Sequence, residues 1–207
     1  MLKRLLILSI LVTGSIAARA DSISGYFSAT GTDSFTTSTI TFNSAQVAGA
    51  IGGTFASYLA DGNAINFLAG PLPYNNGPNT PPNPPYTSGT VPLFTVSGSG
   101  ATFTFNMSDY NALYITDGTM GCTSGSTCLN VTGDGFFTST GSLTGTSGPA
   151  TFTFSSQYVA GQPVASLTSF SASTAATASA VPEPASLALV GSGLLGIVGM
   201  ARRRFNA

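Results

Sequence analysis

The sequence predicts an all-β protein whose central part is a single antiparallel β-sandwich or jelly-roll-like domain. Three observations lead to this prediction: apolar and polar residues alternate with a period of two, glycine-containing turn dipeptides separate these stretches, and no stretch has a convincing helical period. The alternation is clearest at 101–107, where alanine, phenylalanine and methionine alternate with threonine and asparagine. The pattern Ala-Thr-Phe-Thr-Phe recurs at 150–154. Without helices for crossovers, a parallel sheet is not expected.

Further candidate strands are rich in the residues that favour a pleated, half-buried surface. They are 40–42, 53–60, 64–69, 91–96, 112–116, 128–132, 136–144 and 164–171. The dipeptides Asp61-Gly62, Asp117-Gly118 and Asp134-Gly135 have the composition of hairpin turns. Turn roles therefore compete with any functional role for these three aspartates.

Composition sets the domain boundaries. The β domain is predicted over 21–170, and its segment 71–92 holds eight of the twelve prolines, which indicates a long exposed loop. Tyr74 and Tyr86 in that loop offer flat faces for stacking on sugar rings, and a simple surface insertion is the alternative. The small and polar residues 171–180 predict a flexible linker.

Charge is segregated along the chain. The six basic residues of the 207 lie near the two ends, and no lysine, arginine, histidine or glutamate lies between Asp21 and Val181. A central domain without cations excludes a nucleic-acid surface, an arginine clamp for phosphate and histidine-based acid–base catalysis. We therefore expect no enzyme. A glycoside hydrolase that uses a carboxylate pair such as Asp33 and Asp109 is the less favoured alternative.

The only two cysteines, Cys122 and Cys128, are separated by five turn-favouring residues. In an exported protein such a pair indicates a structural disulfide. A metal site would lack further cysteine or histidine ligands, and a redox pair would normally have two intervening residues.

Calcium is the small ligand that the sequence favours most, and no other metal or cofactor is expected. Asp61 with Asn63, and Asp109 with Asn111, have the Asp-x-Asn spacing that oxygen ligands can use. Neither pair continues into a complete calcium-loop pattern, and turn roles explain these residue types equally well.

Residues 1–20 predict a secretory signal peptide. A basic start is followed by the short apolar stretch 5–16, which is too short to span a bilayer easily. Ala18 and Ala20 fit the small-x-small cleavage pattern, which places the mature start at Asp21.

The C-terminus, 181–207, combines three features in a fixed order. A short proline-containing motif precedes the uncharged stretch 185–201, which predicts a transmembrane helix close to the lower limit of spanning length. The arginines that follow should remain cytoplasmic, so the central domain lies on the far side of the membrane. The motif consists of Val181, Pro182, Glu183 and Pro184, and the arginines are Arg202, Arg203 and Arg204.

This order of motif, short helix and arginine cluster resembles the PEP-CTERM sorting signal of bacteria. The resemblance implies recognition by exosortase, a membrane protease-transpeptidase, with cleavage near Pro182–Pro184. It also implies transient membrane anchoring, followed by residence at the cell surface or in an extracellular polysaccharide matrix. It implies nothing about 21–180. The expected function is therefore that of an exported surface or matrix protein, and a carbohydrate- or calcium-binding surface module is the alternative.

Overall fold

The computed structural model describes residues 21–74, 86–116, 118, 122–158, 168–179 and 191–193. Over these residues it consists almost wholly of strands. The strands are β1 Asp21–Ile23, β2 Gly25–Phe35, β3 Thr39–Gly53, β4 Ala64–Phe67, β5 Leu72–Pro73, β6 Tyr86–Gly98, β7 Ala101–Thr116, β8 Thr127–Gly141, β9 Gly145–Ser147, β10 Ala150–Tyr158 and β11 Thr168–Ala176. One turn of 3-10 helix, Thr54–Ser57, follows β3.

Eight of these strands form a closed antiparallel barrel. Their order is β8-β10-β11-β2-β3-β4-β6-β7, and β7 pairs in turn with β8. The prediction of an all-β antiparallel domain is confirmed, but the predicted sandwich is wrong. The alternation of inward and outward residues is the same in both architectures, and only the long β7–β8 pairing closes the sheet.

The barrel interior is filled by aromatic rings. In β10 every second residue from Ala150 to Tyr158 is buried, Ser156 among them, and the residues between them face outward; these are Thr151, Thr153, Ser155 and Gln157. The fully buried phenylalanines pack mostly edge to face, which is the favoured geometry for aromatic pairs. They are Phe27, Phe35, Phe55, Phe94, Phe103, Phe105 and Phe137.

A short helical turn inserts a ring into this core. The strand expected over 53–60 is instead the 3-10 helix Thr54–Ser57, and its Phe55 is completely buried. The positive φ of Gly53 (66°) turns the chain out of β3, and an added Cβ there would lie 2.5 Å from the carbonyl oxygen of Ser24. The chain can therefore leave the sheet at this point only through a residue without a side chain.

The linker expected over 171–180 is largely strand, because β11 continues to Ala176 and extends the domain past residue 170. The strand pairs with both β10 and β2. Its inward residues include Phe170 and Ala172, and its outward residues are small and polar, as in a linker. Composition alone could not distinguish the two.

The turn predicted at Asp134-Gly135 is also wrong, because both residues lie within β8. An added Cβ on Gly135 would lie 2.1 Å from the carbonyl oxygen of Asn106, so the glycine allows β7 to approach closely beside its bulge. The turn at Asp61-Gly62 is confirmed, with a φ of 87° at the glycine. Asp117 lies outside the described residues.

The proline-rich segment 71–92 contains more strand than the loop prediction allowed. Leu72–Pro73 is β5, and β6 already begins at Tyr86. Pro92 is accommodated in β6 beside a register shift, where a missing N–H donor is tolerated. Residues 75–85 lie outside the described part.

The chain divides into two units, one of which is Asp21–Ala180 and the other the terminal segments Met1–Ala20 and Val181–Ala207. The predicted signal peptide lies outside the described residues. Of the predicted spanning helix 185–201, only 191–193 are described, and they are helical. In the described residues we find no helix whose length and apolar character would suffice to cross a membrane.

Candidate functional site

An open groove runs over β10 and β11 on the outer face of the barrel. Its deeper part has a volume of about 570 Å³ and adjoins a shallower hollow of about 250 Å³, and Ser155 and Ser171 line both. The other outward polar residues along it are Thr30, Asn130, Thr153, Gln157, Ser169 and Ser173. Among its described lining residues none is charged, so the groove is polar but electrically neutral.

The strand register places four of these side chains in a transverse row, which we name the groove row. Ser155 of β10 lies opposite Asn130 of β8 and also opposite Ser171 of β11. Ser171 in turn lies opposite Thr30 of β2. Because neighbouring strands are about 4.8 Å apart, the row presents polar groups at a regular spacing.

The groove row differs in its hydrogen bonding from three other facing pairs of outward hydroxyls. These pairs bond to each other across neighbouring strands: Thr153–Ser173, Thr32–Ser44 and Ser97–Thr102, at 2.7, 2.8 and 2.8 Å. In the row, Thr30 Oγ1 donates to the carbonyl of Phe170. Within the described part of the chain, the side chains of Asn130, Ser155 and Ser171 have no protein partner.

One end of the groove is bounded by the predicted disulfide. Cys122 and Cys128 are bonded, with their Cα atoms 5.8 Å apart. Together with the buried Ile115 and the half-buried Leu113 they form a small apolar cluster separate from the barrel core. Ile115 and both cysteines line the groove, so an apolar edge adjoins its polar floor.

Removing this disulfide should lower the free energy of unfolding. The closed loop is short, so replacing both Cys122 and Cys128 by serine should cost about 2 kcal/mol. Urea unfolding of the double variant would measure this cost. Dithiothreitol should destabilise the wild-type protein by a similar amount and leave the double variant unchanged, and an equal effect of dithiothreitol on both would contradict the assignment.

Asp33 lies inside the barrel. It takes an inward position in β2, between Gly31 and Phe35, and its side chain is completely buried. Ser156 Oγ donates to Asp33 Oδ1 at 2.8 Å, and Oδ2 has no hydrogen-bond partner in the described structure. Burial raises the pKa of Asp33 to about 7, although the hydrogen bond from Ser156 acts in the opposite direction.

The structure does not bring the two carboxylates of the hydrolase alternative together. Asp33 faces the interior, whereas Asp109 is half-buried on the outward side of β7, opposite the exposed Asp134. A polysaccharide cannot reach a carboxylate that is closed inside the core. The pair required for glycoside hydrolysis is therefore not formed by Asp33 and Asp109.

The calcium candidates occupy separate elements. Asp61 Oδ1 accepts a hydrogen bond from the backbone N–H of Gly49 at 3.1 Å, and Asn63 Oδ1 accepts one from that of Ala60 at 2.8 Å. These oxygens stabilise a turn. Asp109 and the exposed Asn111 lie along β7. Across the described ranges, no group of three or more acidic, histidine or cysteine residues is arranged to hold a metal ion.

Of the two tyrosines expected to stack on sugars, Tyr74 is completely buried, and its hydroxyl donates to the carbonyl of Thr36. It cannot face a ligand. The side chain of Tyr86 lies outside the described part. Among the tyrosine side chains that the structure describes, Tyr26 is the exposed one, and its ring covers Gly52 of the neighbouring strand.

The groove row could not be predicted from the sequence, because its members belong to four strands. Each has the signal of an outward position in an alternating strand, but only the pairing order places them side by side. Of the residues predicted for processing, Asp21 is described as the first residue of β1. Ala18, Ala20 and the sorting residues Val181–Pro184 and Arg202–Arg204 lie outside the described residues.

The predicted C-terminal sorting signal is confirmed by comparison with known protein families. Residues 180–204 match the model of the PEP-CTERM protein-sorting motif. This motif is a recognition signal for exosortase. The chain therefore belongs to the class of exported proteins that are sorted to the cell surface, and it carries a PEP-CTERM signal near its C-terminus. No curated protein and no solved structure matches the chain.

Proposed function

We propose that the chain is a cell-surface or extracellular-matrix protein that is cleaved by exosortase and whose barrel acts without catalysis. The observation that carries this proposal is the sorting motif at 180–204 directly behind a complete domain. The last strand of the domain ends at Ala176, so cleavage near Pro182–Pro184 would release an intact barrel. Until then, 185–201 would hold it at the membrane.

The two ends of the barrel domain support this order of events. The backbone N–H of Ser179 donates to Ser22 Oγ at 2.7 Å, so the residue after the mature start lies beside the last residues before the motif. Neither cleavage removes a strand. The signal peptide and the sorting segment are thus both attached where their loss leaves the fold unchanged.

The charge of the released domain also fits an extracellular role. It contains aspartates and no cation, and its outer strand positions are mostly threonine and serine. Such a surface is solvated by hydroxyl groups and has no attraction for nucleic acid. Contact with extracellular polysaccharide is the partner interaction that this surface suits best.

We expect the mature protein from the native host to lack 185–207, because exosortase cuts near Pro182–Pro184. Intact-mass spectrometry of the secreted protein measures this directly. Replacing Pro182, Glu183 and Pro184 together by alanine should leave 185–207 attached and the protein in the membrane fraction.

The matched control is Ser186→Ala in the same segment, which should be processed like the wild type. A secreted wild-type protein that keeps 185–207 in every molecule would disprove the processing step. Normal processing of the triple variant would show that another sequence directs it.

A further inference from the structure

Three side chains of the groove row provide hydrogen-bonding groups that no other part of the described protein uses. Asn130, Ser155 and Ser171 face outward over a cavity of about 570 Å³, whose size lies within the range of ligand pockets, roughly 300–1,000 Å³. Serine hydroxyls and the asparagine amide can each donate and accept. A ligand that satisfies them must offer both donors and acceptors at closely spaced positions.

The chemistry of the lining selects a neutral ligand. No charged residue lines the groove among those described, and a charged ligand that entered it would lose water without gaining an ion pair. Gln157 and Ser169 extend the same uncharged polar surface beside the row. The disulfide adds a small apolar edge beside this polar surface.

The groove is poorly suited to a peptide. Peptides are commonly bound by adding a strand to a free sheet edge or by filling apolar side-chain pockets. Here β10 pairs with both β8 and β11, and β11 pairs with both β10 and β2, so the floor offers no free edge. The apolar residues among its described lining are all buried, so they leave no open pocket for an apolar side chain; they are Ile115, Cys122, Cys128, Phe154, Phe170 and Ala172.

We propose that this outer groove is a binding site for a strand of neutral polysaccharide, held by Asn130, Ser155 and Ser171. Sugar hydroxyls both donate and accept, and their dense arrangement along a polysaccharide matches a row of polar groups repeated at the strand spacing. The proposal extends the proposed surface function by giving the matrix contact a defined site. Purified protein tests it without any sorting step, so either proposal can fail alone.

The test is isothermal titration calorimetry of the full-length chain in detergent against soluble neutral polysaccharides. Dextran, pullulan, galactomannan and xyloglucan serve as neutral probes, and alginate serves as the anionic probe. We expect saturable binding of at least one neutral probe and no binding of alginate. No binding of any neutral probe at millimolar sugar concentration, or equally tight binding of alginate, would overturn the proposal.

Variants locate the binding. The double change Asn130→Ala with Ser171→Ala should weaken binding by about tenfold or more, because it removes two hydrogen-bonding groups. Ser155→Asp places a charge in the middle of the row and should weaken binding of a neutral probe as well. The matched control, Thr95→Ala with Thr104→Ala, removes a facing pair of outer hydroxyls between β6 and β7 and should change nothing.

The outcomes separate the site from the rest of the surface. Loss of binding in the groove variants with full binding in the control supports the proposal. An equal loss in the control, or unchanged binding in both groove variants, overturns it. The groove variants should also be sorted and cleaved like the wild type, so defective processing would bear only on the proposed function.

Discussion

Phe55→Ala should lower the free energy of unfolding by about 4 kcal/mol. The ring of Phe55 is completely buried, and its centroid lies 5.0–5.2 Å from those of Phe27, Phe103 and Phe137. Truncation would leave a cavity where three strands converge on the 3-10 helix. The walls belong to a closed barrel, whose strands cannot move inward to fill it. Urea unfolding of the exported protein, followed by far-ultraviolet circular dichroism, measures the effect.

Leu68→Ala is the control for this measurement. Leu68 is 53% exposed, so its truncation should change the free energy of unfolding by less than about 0.5 kcal/mol. If Phe55→Ala had an effect as small as that of Leu68→Ala, the helical turn would not be part of the core.

The second large effect is a loss of stability as the pH rises. The pKa of Asp33 is about 7 in the folded protein and near 4 in the unfolded chain. Below pH 4 both states bind the proton. Between pH 4 and 7 the unfolded chain releases it while the folded protein keeps it, so the free energy of unfolding falls with rising pH. We expect a loss on the order of 4 kcal/mol, complete above pH 8.

Asp33→Asn should remove most of this slope. The amide keeps an oxygen for the hydrogen bond from Ser156 and carries no charge to be buried, so the variant should exceed the wild type in stability at pH 8. Urea unfolding at pH 4.5, 6 and 8 tests this. Asp134→Asn, at an exposed site, is the control and should keep the wild-type slope; a slope that survives in Asp33→Asn would rule out Asp33 as its origin.

The absence of cations makes this titration unusually easy to isolate. Many proteins lose stability in acid because carboxylates give up their ion pairs. No lysine, arginine or histidine lies between Asp21 and Val181, so the carboxylates of this domain have no such partners there. Because no cation of this domain can pair with the buried carboxylate, Asp33 becomes neutral by binding a proton.

The strands of this protein were predictable wherever phenylalanine alternates with threonine or serine, as in β7 and β10. The second half of β11 has the composition of a linker, because its inward positions include alanine, whose small side chain gives little contrast with serine. The 3-10 helix was missed because Phe55 is buried by insertion into the barrel, which no local period reveals.

Some of the candidate sites could be predicted from local sequence patterns, and others could not. The disulfide follows from local spacing, and the sorting motif is itself a local sequence pattern. The sequence suggests Asp33 only as one partner of a carboxylate pair with Asp109, although the alternation from Phe27 through Ala29 to Phe35 places it on the apolar face of β2. The groove row depends on the order of four strands, which is a property of the closed sheet.

Closure of the sheet also protects such a protein against aggregation. Solubility in many proteins comes from mutual charge repulsion, but charged residues make up only 6% of this chain. Exposed strand edges are what turn weakly charged β-proteins into fibres. The two strands that would end an open sheet, β7 and β8, pair with each other along nearly their whole length. Within the described barrel, closure of the sheet therefore protects against edge-to-edge aggregation, as charge repulsion does in many other proteins.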